Sequence, residues 1–205
     1  MLKAAAQTPP EASTKGRIIQ AALKTLIEEG FAGASARAIA RVGGFNQALI
    51  FYHFGTLNDL LLAALDDTGA RRLVRYREAF EGAESPEDKI AVAAALYRED
   101  LDSGHITVLS ELIAGSLTRP DLGPEVVARM EPWVEFAQEA IKEVISGTAL
   151  EEIVPVRTAA FALVALYLGI DLLAHLEEDP ARAEDLFEAA RGLAKLAAPL
   201  LESTS

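Results

Sequence analysis

Apolar positions recur along this chain at three- and four-residue steps, the period of a helix buried on one face. Ile18, Ala22 and Leu26 form the first such stripe. Ser13 or Thr14 stands where an N-cap is expected, and Gly30 where that helix should stop. A short second helix is predicted from Ser35 to near Val42, ahead of Gly43-Gly44, and a third from Asn46 through Phe54. Gly55-Thr56 then breaks the chain and caps a long helix to near Phe80. Ser85-Pro86 opens the next, to near Asp102, since proline suits a first helical position. Residues 105–117 read as an apolar helix closed by Arg119-Pro120, and Pro124 leads into one ending near Ser146. Pro155 opens a very apolar helix to Glu177, and Pro180 the last, to near Leu201. Ala, Leu and Glu prevail, alternating β-branched runs are absent, and no internal repeat is visible. The expectation is all-α, with about nine helices.

Composition narrows the chemistry. With 205 residues, 51% of them apolar, the chain can bury a core. It has no cysteine, which removes disulfides, thiolate metal sites and a cysteine nucleophile. The three histidines, His53, His105 and His175, are scattered. Met1 to Ala12 lacks the apolar core of a secretory signal, and the longest apolar run, Ala159 to Ile170, is short of a membrane span. A cytoplasmic chain without membrane contact is expected. The net charge of −12 is uneven. Residues 1–65 carry six basic groups against four acidic ones, a net of +2, and the remainder nets −14. Any polyanion is therefore met by the N-terminal segment alone.

The informative stretch is Ile39 to Ile50. A helix-turn-helix requires a small residue where its helices cross, a glycine at the turn, and an aliphatic residue closing the small core. Ala40, Gly44 and Ile50 meet these needs, with Ile39 and Phe45 as further apolar contacts. Three stretches extend the pattern: Thr14-Lys15-Gly16-Arg17-Ile18-Ile19 with Glu29-Gly30-Phe31, Ser35-Ala36-Arg37-Ala38-Ile39-Ala40 with Gly44, and Asn46 through Phe51-Tyr52-His53-Phe54-Gly55. Together, residues 14–65 resemble the DNA-binding domain of the tetracycline-repressor (TetR) family of bacterial regulators. Two departures stand out. The family often has Ser-Lys where this chain has Asn46-Gln47, and usually a phosphate-binding lysine where it has Leu57. Fewer cations imply a shallower salt dependence of DNA binding.

The resemblance implies a flexible arm over 1–13, a helix-turn-helix domain over 14–60, and a ligand-binding and dimerisation domain over 61–205. Its recognition helix would enter the major groove of operator DNA. Gln47 is the expected base reader, because its amide offers adenine both a donor and an acceptor. Ala48 and Leu49 either touch thymine methyls or pack, and Tyr52 and His53 resemble the family's phosphate- and base-contacting pair. Arg37 is assigned to a phosphate or base edge, and Ser35, Asn46 and Thr56 are caps first and phosphate ligands second. Ile50, Phe51 and Phe54 are expected in the core.

In the body, Tyr97, His105, Met130, Trp133, Phe136, Phe161 and Tyr167 are either plain core or the lining of an effector cavity. Glu111 and Asp171 interrupt apolar runs, so each is paired, wetted, used by a ligand or turned to solvent. An apolar or mildly cationic effector is expected, with no cofactor. Small residues Ala162, Ala165 and Gly169, and the stripe Leu186, Ala190, Leu193, Ala197 and Leu200, suggest a four-helix homodimer interface. The chain carries none of G-x-S-x-G, H-E-x-x-H, a P-loop or G-x-G-x-x-G, so catalysis is not expected. Glu99, Asp102 and His105 at three-residue spacing offer only a minor metal reading. The implied function is a dimeric repressor on a palindromic operator, released by a small molecule. The competing reading is a helical interaction module of the same fold that has lost DNA binding.

Overall fold

The computed structural model describes residues 13–119, 121–177 and 181–201. The described residues are helical throughout: α1 (Thr14–Gly33), α2 (Ala36–Gly43), α3 (Ala48–Phe54), α4 (Leu57–Phe80), α5 (Pro86–Ser103), α6 (His105–Thr118), α7 (Gly123–Ile145), α8 (Val156–Glu177) and α9 (Ala181–Leu201). The helix starts follow the capping chemistry of the sequence. Ser13 Oγ accepts the Gly16 N–H at 3.0 Å and Ser35 Oγ that of Ala38 at 3.2 Å. Thr56 and Asp59 cap reciprocally ahead of α4, and Ser85 and Asp88 do the same ahead of α5. The Ser85 hydroxyl and N–H hold the Asp88 carboxyl below its ordinary range.

The chain divides into two compact units. The first takes the described residues up to Ala70 together with Gly104–Val127; the second takes Arg71–Ser103 and the described residues from Ala128 onward. The first unit thus joins the start of α4, up to Ala70, and α6 to the three N-terminal helices. Helix α1 packs on both α2 and α6. Ile18, Ala22 and Leu26, the predicted stripe, are completely buried there beside Ile39, Ile50 and Leu112. In the second unit α9 packs on α5 and α8. Val134, Ala137 and Ala160 form a buried cluster, flanked by Ile141 and Val164.

The first unit also corrects the end of α1. Gly30 does break the helix, with φ 68° and ψ −179°, but the helix resumes for one further turn to Gly33. A restarted helix exposes amides with no partner of their own. Here the Phe31 N–H donates to Glu111 Oε2 on α6 at 2.6 Å. Glu111, expected from sequence to be paired, wetted, on a ligand or in solvent, is paired with backbone. The Phe31 ring lies over Gly115, where a Cβ would stand 2.6 Å from it, and the Ile27 side chain lies against Gly104.

The Glu111 contact carries the first prediction. Glu111→Ala leaves the Phe31 amide without its acceptor and should destabilise the protein by about 1–3 kcal/mol. Glu111→Gln keeps an acceptor oxygen and should lose less, as read from urea unfolding midpoints.

Candidate nucleic-acid interface

The turn between α2 and α3 is made by two glycines with different tasks. Gly43 gives room, since a Cβ there would collide with the Phe45 ring and stand 2.9 Å from Ala21 on α1. Gly44 gives conformation, at φ 66° in the left-handed region, with its N–H bonded back to the Ala40 carbonyl. Ala40 is buried at the crossing, as its small size predicts. The Phe45 N–H also returns to the Ala40 carbonyl, at 3.1 Å. Asn46 Oδ1 accepts the Ala48 N–H at 2.9 Å, so the Asn46 cap holds although α3 proper starts at Ala48.

This turn presents an outward-facing set of polar groups. Ser35, Arg37, Asn46, Gln47, Ala48, Tyr52 and Thr56 are exposed, while Leu49 and His53 are half-buried. Arg37, Arg41, Asn46 and Gln47 line an open concavity of about 730 Å³ with Ala40, Gly44 and Phe45. Arg41 is held by Glu29, and Lys15 stands 5.9 Å from the centre of the Phe54 ring. Tyr52 is 82% exposed, its ring edge-on to His53 at 4.9 Å. Phe51 departs from expectation. It is 49% exposed rather than core, because a single-residue step of about 100° separates it from the buried Ile50 on this seven-residue helix. Phe54 is half-buried.

Two short helices joined through a left-handed glycine, the first packed on α1 and the second largely exposed, make a helix-turn-helix. Residues 18–64 match the family described as bacterial regulatory proteins, tetR family. The HTH-type transcriptional regulator Rv2912c of Mycobacterium tuberculosis is 30% identical over 150 residues, covering 73% of this chain and 67% of its own length. The chain belongs to the TetR family. It is accordingly a DNA-binding transcriptional regulator and not an enzyme. UidR of Escherichia coli is 25% identical over 182 residues, 88% of this chain and 90% of UidR. Among solved structures, the multidrug binding protein EbrR complexed with proflavin is 29% identical at a TM-score of 0.59, covering 89% of this chain and 98% of that one.

The body candidates are only partly brought together. In the second unit Tyr97 is buried, edge-on to Tyr167 at 5.7 Å and tilted against Phe187 at 5.6 Å. Trp133 stands edge-on to Tyr76 at 5.2 Å, and Phe136 meets Tyr76 and Phe80 at 6.1 and 5.0 Å. Met130 is half-buried. Phe161 is 65% exposed on α8 and takes part in none of these ring contacts. The side chains of His105 and Asp171 lie outside the described residues, as does that of Asp102. The metal reading of Glu99, Asp102 and His105 loses its shared helix face, since Gly104 breaks the chain between α5 and α6 at φ 72° and Glu99 pairs with Arg75. Among the described residues no three acidic or histidine side chains are grouped to hold a metal, and no single helix is long and apolar enough to cross a membrane.

Sequence reasoning missed Arg72, Tyr76, Phe80 and Asp100 in the second unit. The only sequence signal was the three-residue step from Tyr97 to Asp100, which puts both on one face of α5.

At the turn, a Cβ on Gly44 meets nothing within 4 Å. The cost of Gly44→Ala is therefore backbone strain alone, expected at about 1–2 kcal/mol in chemical denaturation. Gly44→Asn should cost less, since asparagine tolerates this region better.

Proposed function

We propose that this regulator is a ligand-responsive repressor that binds a palindromic operator as a homodimer and leaves it when a small molecule occupies the body. The exposed set around the Gly44 turn carries the reading: Arg37 and Gln47 share one open concavity, and Tyr52 is exposed on α3, all within a mildly basic segment. Gln47 is the base reader, with Ala48 and Leu49 beside it for thymine methyls. Arg37 and the pair Tyr52 and His53 take backbone phosphates or base edges, and Ser35, Asn46 and Thr56, caps first, add phosphate contacts at their helix N-termini. Two such helices in one dimer read half-sites one DNA turn apart. DNA and effector then oppose each other through a reciprocal coupling free energy.

The exposed apolar side of α8 and α9 supports the dimer. Phe161, Leu163 and Leu166 on α8, and Leu186, Leu193 and Leu196 on α9, are all exposed in the single chain. Ala162 and Ala165 are exposed too, while Gly169, Ala190 and Ala197 are half-buried. A patch of this kind is covered in stable soluble proteins, and a two-fold four-helix bundle covers it with itself. The side chain of Leu200, the last member of the stripe, lies outside the described residues. The effector is read as apolar or mildly cationic, which suits the aromatic cluster of the second unit and the likeness to EbrR, whose structure holds proflavin.

Selection of bound sequences from random DNA, with and without candidate effectors, tests the reading; failure to enrich any palindrome would overturn it. In that assay Gln47→Ala should relax preference at one position per half-site, by ~1–3 kcal/mol. Arg37→Ala should weaken binding at all sequences alike and lower the salt slope by about one per protomer.

Position 169 tests the dimer without disturbing the protomer. A Cβ on Gly169 meets nothing within 4 Å in the single chain. Gly169→Arg should therefore leave the helical signal and melting of the protomer intact while splitting the dimer in sedimentation and abolishing operator binding. A wild-type monomer at micromolar concentration would remove the dimer from the reading.

A further inference from the structure

The second unit holds a buried carboxylate whose partners are unusual. Asp100 on α5 keeps only 3% of its side chain exposed. Its Oδ2 accepts from the Tyr76 hydroxyl at 2.8 Å and the Tyr167 hydroxyl at 2.7 Å, and its Oδ1 is ion-paired with the Arg72 guanidinium of α4. The same guanidinium lies over the Tyr76 ring, 5.6 Å from its centre. Tyr97 stands edge-on to Tyr167 one helical turn before Asp100, and Trp133 edge-on to Tyr76. The arrangement is a carboxylate floor with aromatic walls, filled by a flat cation belonging to the protein itself.

We infer that Asp100 is the counter-charge of an effector site, and that an effector carrying an amidinium or guanidinium head on an apolar body binds by taking the place of Arg72. The inference rests on the reading of the body as an effector-binding unit. Burial fixes the sign of the occupant. Removing one member of a buried ion pair is strongly destabilising, so a cationic occupant replaces Arg72 at far lower cost than a neutral or anionic one. Geometry fixes the shape. A planar fork of N–H donors matches a carboxylate in a way an ammonium does not, and a planar cation keeps the contact with the Tyr76 face.

The exchange also has a route. Arg72 keeps 14% of its side chain exposed, so the cluster meets solvent on the Arg72 side. Its long side chain withdraws by rotation about its own bonds and finds water for its charge, without backbone motion. No covalent step is involved. Withdrawal breaks an ion pair between α4 and α5, and α4 is the helix that follows the recognition helix directly in the chain.

Benzamidinium is the probe and neutral benzamide its control, titrated into the wild-type protein without DNA. Trp133, the only tryptophan, reports through its contact with Tyr76, and the melting midpoint reports independently. Benzamidinium is expected to bind at micromolar to millimolar concentration and raise the midpoint, while benzamide does neither. Asp100→Asn, a near-isosteric change, should weaken benzamidinium by about tenfold or more, the loss of roughly 1.4 kcal/mol. Arg72→Ala removes the internal competitor, so it should bind benzamidinium about tenfold more tightly and regain melting midpoint as it does so. Binding by Arg72→Ala but not by wild type would reduce Asp100–Arg72 to a structural ion pair and overturn the proposal. Equal binding of benzamide, or undiminished binding by Asp100→Asn, would overturn it as well. Because no arm contains DNA, these outcomes are independent of whether an operator is found.

Discussion

The hydrogen bond from the Phe31 amide to the Glu111 carboxylate joins residues eighty positions apart and ties α6 to α1. A helix broken at a positive-φ glycine and restarted leaves amides that must find acceptors. The chain meets the need with a side chain from α6, and two glycines on or before that helix, Gly104 and Gly115, let Ile27 and Phe31 come close. The consequence is that α6 belongs with α1, α2 and α3 rather than with the rest of the body. Anything that shifts α6 acts directly on α1, against which the helix-turn-helix is built.

The turn itself divides labour between neighbouring residues. Gly43 is small because the Phe45 ring and Ala21 occupy the space a side chain would need, and Gly44 is a glycine because of its φ. Neither could do the other's work. Holding Ala40, Ile39 and Ile50 inside leaves Arg37, Gln47 and Tyr52 outside. Helical geometry thus makes the polar outer surface a by-product of the packing that forms the turn.

Charge follows the same separation. The exposed cations of the turn lie in the segment with net positive charge, and the acidic excess lies in the remainder of the chain. Within the body, most ion pairs among the described residues are exposed, such as Arg75–Glu99 and Arg98–Glu184, and add little. Arg72–Asp100 differs by its burial, since the surrounding protein screens it less and punishes the loss of either partner.

What the amino-acid sequence determined by itself was whatever depends on near neighbours. Caps at Ser13, Ser35, Asn46, Thr56 and Ser85, the left-handed Gly44, the apolar period of each helix and the polar outside of the turn all follow from interactions within a few residues. The family was legible for the same reason, because its signature is a local spacing. Only tertiary structure decided the rest. That Glu111 would meet an amide eighty residues away and that Asp100 and Arg72 would pair beside Tyr76 depend on how helices distant in sequence are packed. A period of 3.6 residues gives the apolar face of each helix but not the helix it will face, and polar groups inside apolar runs take their meaning from that partner.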